Sequence, residues 1–248
     1  MYSEEQSAEQ HPLPTVGEHA PDLDRLLVSL QLTDSAFPSG FYTLSHSLEG
    51  FAQAGLVTPE TVGALLHDLL RNGVGPSDAT ALALAHRAAR AGAWEEVSAV
   101  DTRLHATKLN REMRQAAQRT GRQLLDLAAE IFGEPGIAQY QKTVSARHAP
   151  GNQAVAAGVV YACIGVPVGQ AVASDLFAFC ASFAGAALRL RLTDHRRAQV
   201  LLRDTAHVIQ EVTEEALRRE LADLGATTFL ADAMSARHER AEARLFAT

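Results

Sequence analysis

Apolar side chains recur along this sequence at the spacing of an α-helix, and the alternation that marks β-strands is nearly absent. Residues at positions i, i+3, i+4 and i+7 share one face of a helix, so this pattern predicts amphipathic helices packed on a common core. We therefore expect an all-α protein, a single globular helical bundle of about ten helices joined by short loops. The predicted helices, by approximate residue number, cover 23–32, 41–54, 62–73, 78–91, two segments between 94 and 132 that part near 105–108, a short segment around 140–144, 153–164, 167–192 and 196–224.

Glycine and proline set the predicted helix ends. Gly55 and Gly92 follow helical segments, and we expect them just after the last helical residue, where a left-handed backbone suits glycine. Pro76 is expected to separate the helix that ends near Gly73 from an alanine-rich helix, whose small side chains allow close approach of its neighbours. Gly121 interrupts a helix at a cost of about 1 kcal/mol relative to alanine, so it predicts close packing there. One stripe of the first helix is expected to face the core: Leu23, Leu26, Leu27 and Leu30.

The chain divides into three predicted regions. Residues 1–21 are polar and acidic and lack the basic and apolar parts of an export signal, so we expect a disordered leader on a cytoplasmic protein. Residues 22–226 are expected to form the helical domain. Residues 227–248 carry no large apolar stripe, and we expect them to form a partner-docking tail.

The charge balance and the cysteines limit the classes of partner. With 22 Lys and Arg against 29 Asp and Glu, the net charge of -7 disfavours nucleic acid binding through a general basic field. The uncharged stretch 149–174 is cut by glycine and proline into runs shorter than the roughly 20 residues that a membrane helix needs, so no membrane span is expected.

Cys163 and Cys180 match no metal or redox spacing, and we interpret them as buried free thiols in a reducing cytoplasm.

A stretch of polar residues, 31–51, lies between two apolar helical segments. Asp34 or Ser35 is expected to cap backbone amides in a turn. Pro38 would fix the backbone of that turn, and Gly40 would allow the chain to reverse.

The same stretch is expected to place Ser45, His46, Ser47 and Glu49 on a turn and a half of the next helix. One interpretation is a helical hydrolase with Ser45 as nucleophile, His46 as base and Glu49 beside them. Neighbouring residues on a helix point about 100° apart, so this pair would need a further partner from elsewhere in the fold. The alternative is a capped helix start without catalytic function. Glu49 is expected either in solvent or paired with a basic residue such as Arg189.

The sequence contains none of the common motifs for nucleotide or metal chemistry. The phosphate loop GxxxxGK[ST], the dinucleotide pattern GxGxxG and the zinc motif HExxH are absent. The histidines are dispersed, so no metal site within one segment is expected. A metal site shared between copies of the chain is an open alternative. We predict no cofactor and no resident metal.

The end of the chain combines basic residues with an apolar pair. Arg237, His238, Glu239, Arg240 and Arg244 precede Leu245 and Phe246. Such a pair at a fraying terminus adds little to the core of a monomer. We expect it to dock into a partner's groove, with Phe246 as the anchor and the arginines making charge-assisted hydrogen bonds.

Taken together, the two ends of the chain resemble the urease accessory protein UreF family. The N-terminal part of the resemblance is carried by Gln31, Leu32, Ser35, Ala36, Phe37, Pro38, Gly40, Ser45, Leu48 and Glu49. The C-terminal part is carried by Ser235, Arg237, His238, Glu239, Arg244, Leu245, Phe246 and, conservatively, Thr248. Residues 73–82, the arginine-rich helix at 111–125 and Arg189 extend the match, which covers about residues 23–248. Phe41 stands where the family has a glycine and His46 where it has a glutamine, so local deviations are expected at both positions.

The resemblance implies an all-helical, homodimeric chaperone of nickel insertion that is not an enzyme. Proteins of this family bind the accessory protein UreD, also called UreH, and recruit the GTPase UreG to form the complex that acts on apo-urease. The C-terminal segment of the family lies at the UreD contact, and positions matched by Glu49 and Arg189 are linked to control of the GTPase. The residues expected to contact partners are Pro38, Gly40, Ser45, His46, Glu49, Arg189, Arg237, His238, Glu239, Arg244, Leu245 and Phe246. Neither a membrane nor nucleic acid is an expected partner.

Overall fold

The computed structural model describes residues 20–38, 43–241 and 244–246. Over these residues the chain is helical and has no β-strand, which confirms the all-α prediction. The elements are α1 (Ala20–Thr33), α2 (Leu48–Gln53), α3 (Val62–Asp68), a π-helix (Leu69–Ala79), α4 (Thr80–Arg90), α5 (Trp94–Thr107), α6 (Arg111–Phe132), α7 (Pro135–Ser145), α8 (Gln153–Cys163), α9 (Val168–Arg189), α10 (His195–Arg218), a 3-10 turn (Leu221–Asp223) and α11 (Phe229–His238). Most of the predicted leader lies outside the described residues, and so does Gly40.

The centre of the bundle is the contact between α4 and α8. Side chains of α8 are buried from Ala154 to Ala162, and Gly158 brings the two backbones together. A Cβ atom at Gly158 would stand 2.6 Å from the carbonyl oxygen of Leu82, so this crossing requires glycine. The alanines of α4 permit the same close approach, as the sequence predicted. Helices α5, α6, α9 and α10 pack around this pair.

Three of the glycine predictions are confirmed. Gly55 and Gly92 follow α2 and α4 with φ angles of 67° and 72°, the left-handed conformation that ends a helix. At Gly121, in the middle of α6, a Cβ atom would overlap the carbonyl oxygen of Gly151. Helix α6 therefore lies directly against the loop that precedes α8.

Helix α9 is long and apolar enough to cross a membrane by length and composition alone. It is the one such helix in the described part of the chain, and 56% of its apolar window is buried inside the fold. It packs against α1, α8 and α10. Its apolar character is therefore that of a core helix in a bundle.

The prediction that the leucine stripe of α1 faces the core is wrong. Leu23, Leu26, Leu27 and Leu30 are 55%, 47%, 55% and 57% exposed. The opposite face of α1 packs on α9, where the buried Ser29 hydroxyl accepts a hydrogen bond of 3.0 Å from the side chain of Gln170. The face that packs carries Arg25 and Ser29 beside Val28 and Leu32, so the apolar pattern favoured the leucine stripe and not the face that meets α9.

The predicted break at Pro76 is also wrong, because the chain continues through it as a π-helix from α3 into α4. The wider turn of a π-helix accommodates the proline ring but leaves carbonyl groups without helical partners. The segment after α10 supplies those partners: the amides of Thr227 and Gly225 donate to the carbonyls of Asn72 and Pro76 at 2.9 and 3.2 Å. The Thr80 hydroxyl donates to the carbonyl of Gly75 at 2.9 Å.

The C-terminal region is more ordered than its composition indicated. Helix α10 ends at Arg218, earlier than predicted, because Arg219 takes an extended backbone conformation. Within the region expected to be a partner-docking tail, α11 packs against α2. The approach is close at Gly50, where a Cβ atom would stand 2.5 Å from the carbonyl oxygen of Met234.

A buried carboxylate ties α5 to α7 and to the start of α8. Asp101 is fully buried and accepts hydrogen bonds from the Tyr140 hydroxyl at 2.7 Å and the Gly151 amide at 2.6 Å. It also accepts from both the backbone and the side-chain amide of Asn152, at 3.0 and 2.6 Å. Burial and the carboxylate raise the pKa of the Tyr140 phenol, so its proton stays available for this bond.

Candidate functional site

The polar stretch of the N-terminal motif forms a tight turn that leads into a short helix. Helix α2 starts at Leu48 and spans 6 residues, so the prediction that Ser45, His46 and Ser47 lie on a helix is wrong. His46 and Ser47 instead have φ angles of 52° and 69°, in the left-handed region. Two consecutive left-handed residues reverse the chain and direct Glu49 inwards from the first turn of α2.

Glu49 binds the C-terminal end of the chain. Its side chain is buried, and Oε2 accepts a 2.8 Å hydrogen bond from Nε2 of His238 and a 3.1 Å bond from the amide of Phe246. The amide of Leu245 donates to Oε1 at 2.9 Å. Of the two expectations for Glu49, exposure to solvent is wrong, and pairing with a basic residue is met by His238 and not by the suggested Arg189. A buried carboxylate needs hydrogen-bond donors, and here the backbone amides of the tail and an imidazole provide them.

Ion pairs to α6 hold the same segment on its other side. Arg244 Nη1 lies 2.9 Å from Oε1 of Glu112, and His238 Nδ1 lies 3.9 Å from Oε2 of the same carboxylate. A further pair joins Arg111 to Glu239 at 2.8 Å. We call the set Glu49, Glu112, His238, Arg244 and Phe246 the tail clasp.

Phe246 is buried in its own chain. Its side chain is 6% exposed, and the guanidinium carbon of Arg189 lies 4.1 Å from the centre of its ring. The Arg189 Nε also donates to the carbonyl of Gly185 at 3.2 Å, at the end of α9. Phe246 was expected to be the anchor in a partner's groove, and in this conformation it is not available for that role. Leu245, in contrast, is 72% exposed beside it.

The side chains of the hydrolase interpretation do not form a catalytic group. The Ser45 hydroxyl is buried and has no hydrogen-bond partner in the described part of the chain. His46 instead places Nε2 2.9 Å from the Ser182 hydroxyl and packs its ring 4.3 Å from that of Phe179. Burial lowers the pKa of His46 to about 3, and Glu49 is engaged by the tail. A nucleophile without a base at hydrogen-bond distance lacks the geometry for acyl transfer.

The remaining predicted site residues lie around the clasp. Pro38 is exposed in the turn before α2, while Gly40 falls outside the described residues. Arg237 is exposed on α11, where it lines a shallow groove with Gln53 and Arg240. The structure therefore brings together the N-terminal Glu49 and the C-terminal motif, and it leaves Pro38 and Arg237 at the surface.

A cavity of about 400 Å³ lies beside the turn, between α6, α9 and the segment before α11. It is mainly apolar, and its polar residues include Asp78, Gln153 and Asp175. Asp175 accepts a 2.8 Å hydrogen bond from Gln153, and burial raises its pKa to about 7. The sequence analysis missed this carboxylate. The sequence feature that could have indicated it is that Asp175 is the one acidic residue in the apolar helix α9.

Within the described residues, no three His, Cys, Asp or Glu side chains are grouped so that they could hold a metal ion. Cys163 and Cys180 are free thiols, and burial raises the pKa of both, to about 11 and about 12. Neither thiol has the lowered pKa of a reactive cysteine or a metal ligand.

Comparison with known proteins connects this arrangement to the accessory proteins of urease. The model of the UreF family matches residues 56–206. Relatives named urease accessory protein UreF include those of Arthrobacter sp. (strain FB24), 31% identical over 217 residues, and Trichodesmium erythraeum (strain IMS101), 31% identical over 232 residues. These alignments cover 87% and 91% of this chain and 94% and 98% of the relatives. A protein of Brucella canis named urease accessory protein UreF 2 is 29% identical over 224 residues, or 90% of this chain and 92% of that protein. The chain belongs to the UreF family.

Proposed function

We propose that this chain is a non-enzymatic chaperone that bridges a UreD/UreH-like protein and a UreG-like GTPase while nickel is inserted into apo-urease. Relatives over about nine-tenths of the chain are named urease accessory proteins. Nickel is the cargo of the assembly in this proposal, and the chain itself holds no resident metal or cofactor. The hydrolase alternative has lost its support, because the Ser45 hydroxyl has no hydrogen-bond partner within the described residues, while His46 and Glu49 bind Ser182 and His238.

The observation that carries the proposal is the contact between Glu49 and the tail. It joins the two parts of the chain that carry the family resemblance and leaves Leu245 exposed next to a buried Phe246. An exposed leucine held by a rigid, hydrogen-bonded backbone offers a partner an ordered apolar contact. Binding to such a surface does not require the partner to order a flexible tail, which lowers the entropic cost of association.

Modulation of the GTPase would follow from differential binding. A scaffold that binds one nucleotide state of a GTPase more tightly than another shifts the GTPase towards that state. By linkage, the nucleotide then changes the affinity of the scaffold for the GTPase by the same factor. This mechanism needs no catalytic group on the scaffold.

Co-purification with the UreD-like protein tests the proposal at Leu245. We expect Leu245→Asp to reduce the recovered complex and the activation of urease at least tenfold, since it places a charge in an apolar contact. Leu56→Asp is the matched control, because Leu56 is also exposed, at 54%, and lies outside the clasp. A complex that forms equally well with both variants would refute the docking role of the tail. Failure of the wild-type chain to bind either partner would refute the proposed function.

We also infer that the protein is a cytoplasmic homodimer. The free cysteines are compatible with a reducing compartment. The exposed leucines of α1 favour self-association, because their spacing matches the seam of two paired helices and they form a contiguous apolar face. Light scattering after size exclusion should give a dimer for the wild type and a monomer for Leu26→Glu/Leu30→Glu. A monomeric wild type would contradict the inference.

A further inference from the structure

The end of α9 and the first turns of α10 form a basic corner: Arg191, Arg196, Arg197 and Arg203, with Val200 among them. All four arginines are exposed, and Val200 is 57% exposed. The chain as a whole has a net charge of -7, so this cluster is a positively charged patch on an acidic protein.

Most of these arginines have no acidic partner. Arg197 pairs with Asp194 at 3.5 Å, whereas Arg191, Arg196 and Arg203 form no ion pair with any residue of the described chain. The acidic half of the same helix differs, because Glu211 pairs there with Arg71 at 2.8 Å. The charges of α10 are thus neutralised within the chain at one end and left available at the other.

Two of the nearby carboxylates, Asp194 and Glu60, already have hydrogen-bond partners, whereas Asp204 is exposed next to Arg203 in the sequence. Asp194 accepts from the amides of Arg196 and Arg197, both at 2.9 Å, so these two amides at the start of α10 are not available to an anion. Glu60, which lies near Arg197, accepts a hydrogen bond from Thr58. Recognition at this corner would therefore rest on the guanidinium groups and not on the helix terminus.

Placing these cations at the start of a helix is unfavourable for the isolated chain. The N-terminal end of a helix carries a partial positive charge, so each cation in the first turn costs about 0.3–1 kcal/mol. Arg196, Val200 and Arg203 follow the i, i+4, i+7 spacing of one helix face. An apolar residue between two arginines is a typical composition for the centre of a protein interface.

We propose that the basic corner docks an acidic face of the partner protein that binds the tail, with partner carboxylates on Arg196 and Arg203 around Val200. This inference rests on the proposed function and names the charge of the partner's surface. The corner begins two residues after Arg189, which holds Phe246 of the tail clasp, so both contacts belong to one continuous segment of chain. Guanidinium groups bind carboxylates in a bidentate geometry, which makes such contacts directional as well as attractive.

Binding of the purified UreD-like protein to the full-length chain tests the corner. We expect Arg196→Glu/Arg203→Glu to raise Kd at least tenfold in 50 mM NaCl, and the difference from the wild type to shrink in 500 mM NaCl because salt screens exposed charges. The matched control is Arg122→Glu/Lys142→Glu, which reverses two exposed cations elsewhere on the bundle and should leave Kd within twofold. Arg196→Gln/Arg203→Gln provides a milder variant if the charge reversal impairs folding, which circular dichroism would detect.

The outcomes separate this inference from the proposed function. If the wild type binds and Leu245→Asp weakens binding while both corner variants bind normally, the corner is not part of the interface and the proposed function stands. If the wild type binds none of the maturation partners, both fail. If a duplex DNA fragment binds the wild type more tightly than the UreD-like protein does, and the corner variants abolish that binding, the corner serves nucleic acid and the inference is overturned.

Discussion

At the scale of single residues, Glu49 determines where the end of the chain lies. Its carboxylate accepts hydrogen bonds from an imidazole and two backbone amides that are close to 200 positions away, with sequence separations of 189, 196 and 197. Hydrogen bonds to a charged group contribute about 1.5–3 kcal/mol, so the loss of this side chain should weaken the attachment of the tail to the bundle.

Glu49→Ala should release the tail without unfolding the bundle. We expect hydrogen exchange at the amides of Leu245 and Phe246 to accelerate about 10- to 100-fold, because both donors lose a charged acceptor. Trypsin should then cleave after Arg244 faster than in the wild type. Gln53→Ala is the control, since its amide lies 3.4 Å from Glu49 and contributes little. Unchanged exchange at both amides would show that Glu49 does not hold the tail.

Asp175 should make stability depend on pH. Burial raises its pKa from 3.8 to about 7, so the folded chain holds the proton more tightly than the unfolded chain. The group therefore favours folding below about pH 4, and that contribution is lost as the pH rises to about 7. Compared with Asp175→Asn, the wild type should lose up to about 4 kcal/mol of unfolding free energy between pH 4 and pH 7.5. Urea denaturation across this range measures the difference, and parallel pH profiles would contradict it.

At the scale of elements, the periodicity of apolar residues predicted most helices and many of their ends. It failed where contacts with residues distant in sequence outweigh the local pattern. The stripe of α1 was assigned to the core although the opposite face packs, and Pro76 was taken as a break although a π-helix carries the chain through it. Both outcomes depend on residues distant in sequence, namely Gln170 of α9 and the amides that follow α10. The partners of Glu49 were unpredictable for the same reason.

Gly121 tests the packing of α6 against the loop before α8. An alanine gains about 1 kcal/mol of helix propensity, but its Cβ would overlap the carbonyl of Gly151, whose amide is bound to Asp101. We expect Gly121→Ala to lower the free energy of unfolding by about 3 kcal/mol, since the loop cannot move without breaking that bond. Gly169→Ala is the control, because its Cβ would meet Leu217 at an ordinary 3.7 Å. Chemical denaturation should find the control between the wild-type value and about 1 kcal/mol above it, since alanine there gains helix propensity without a clash.

At the scale of the whole molecule, the turn before α2 and residues 244–246 form one unit. The N-terminal turn, α2, α11 and the final residues are joined by the tail clasp, and Arg189 connects them to the core helix α9. If a partner docks on Leu245 as proposed, Phe246 and Arg189 connect that contact to α9. Two roles for Arg189 in the proposed function are compatible with this arrangement. Its guanidinium either positions the tail or acts on the GTPase directly.

A double-mutant cycle separates the two accounts. If Arg189 acts through the tail, Arg189→Ala and Phe246→Ala should reduce urease activation by similar factors, and the double variant should be no worse than either. A cation over an aromatic ring contributes about 0.5–1 kcal/mol at an exposed site, so the coupling measured by hydrogen exchange of the tail should be of that size. If the guanidinium acts directly on the bound GTPase, Arg189→Ala should lower the GTPase rate of the complex while Phe246→Ala leaves it intact. Equal losses in urease activation with an unchanged GTPase rate would assign Arg189 to tail positioning, because only the contact with Phe246 is common to both variants.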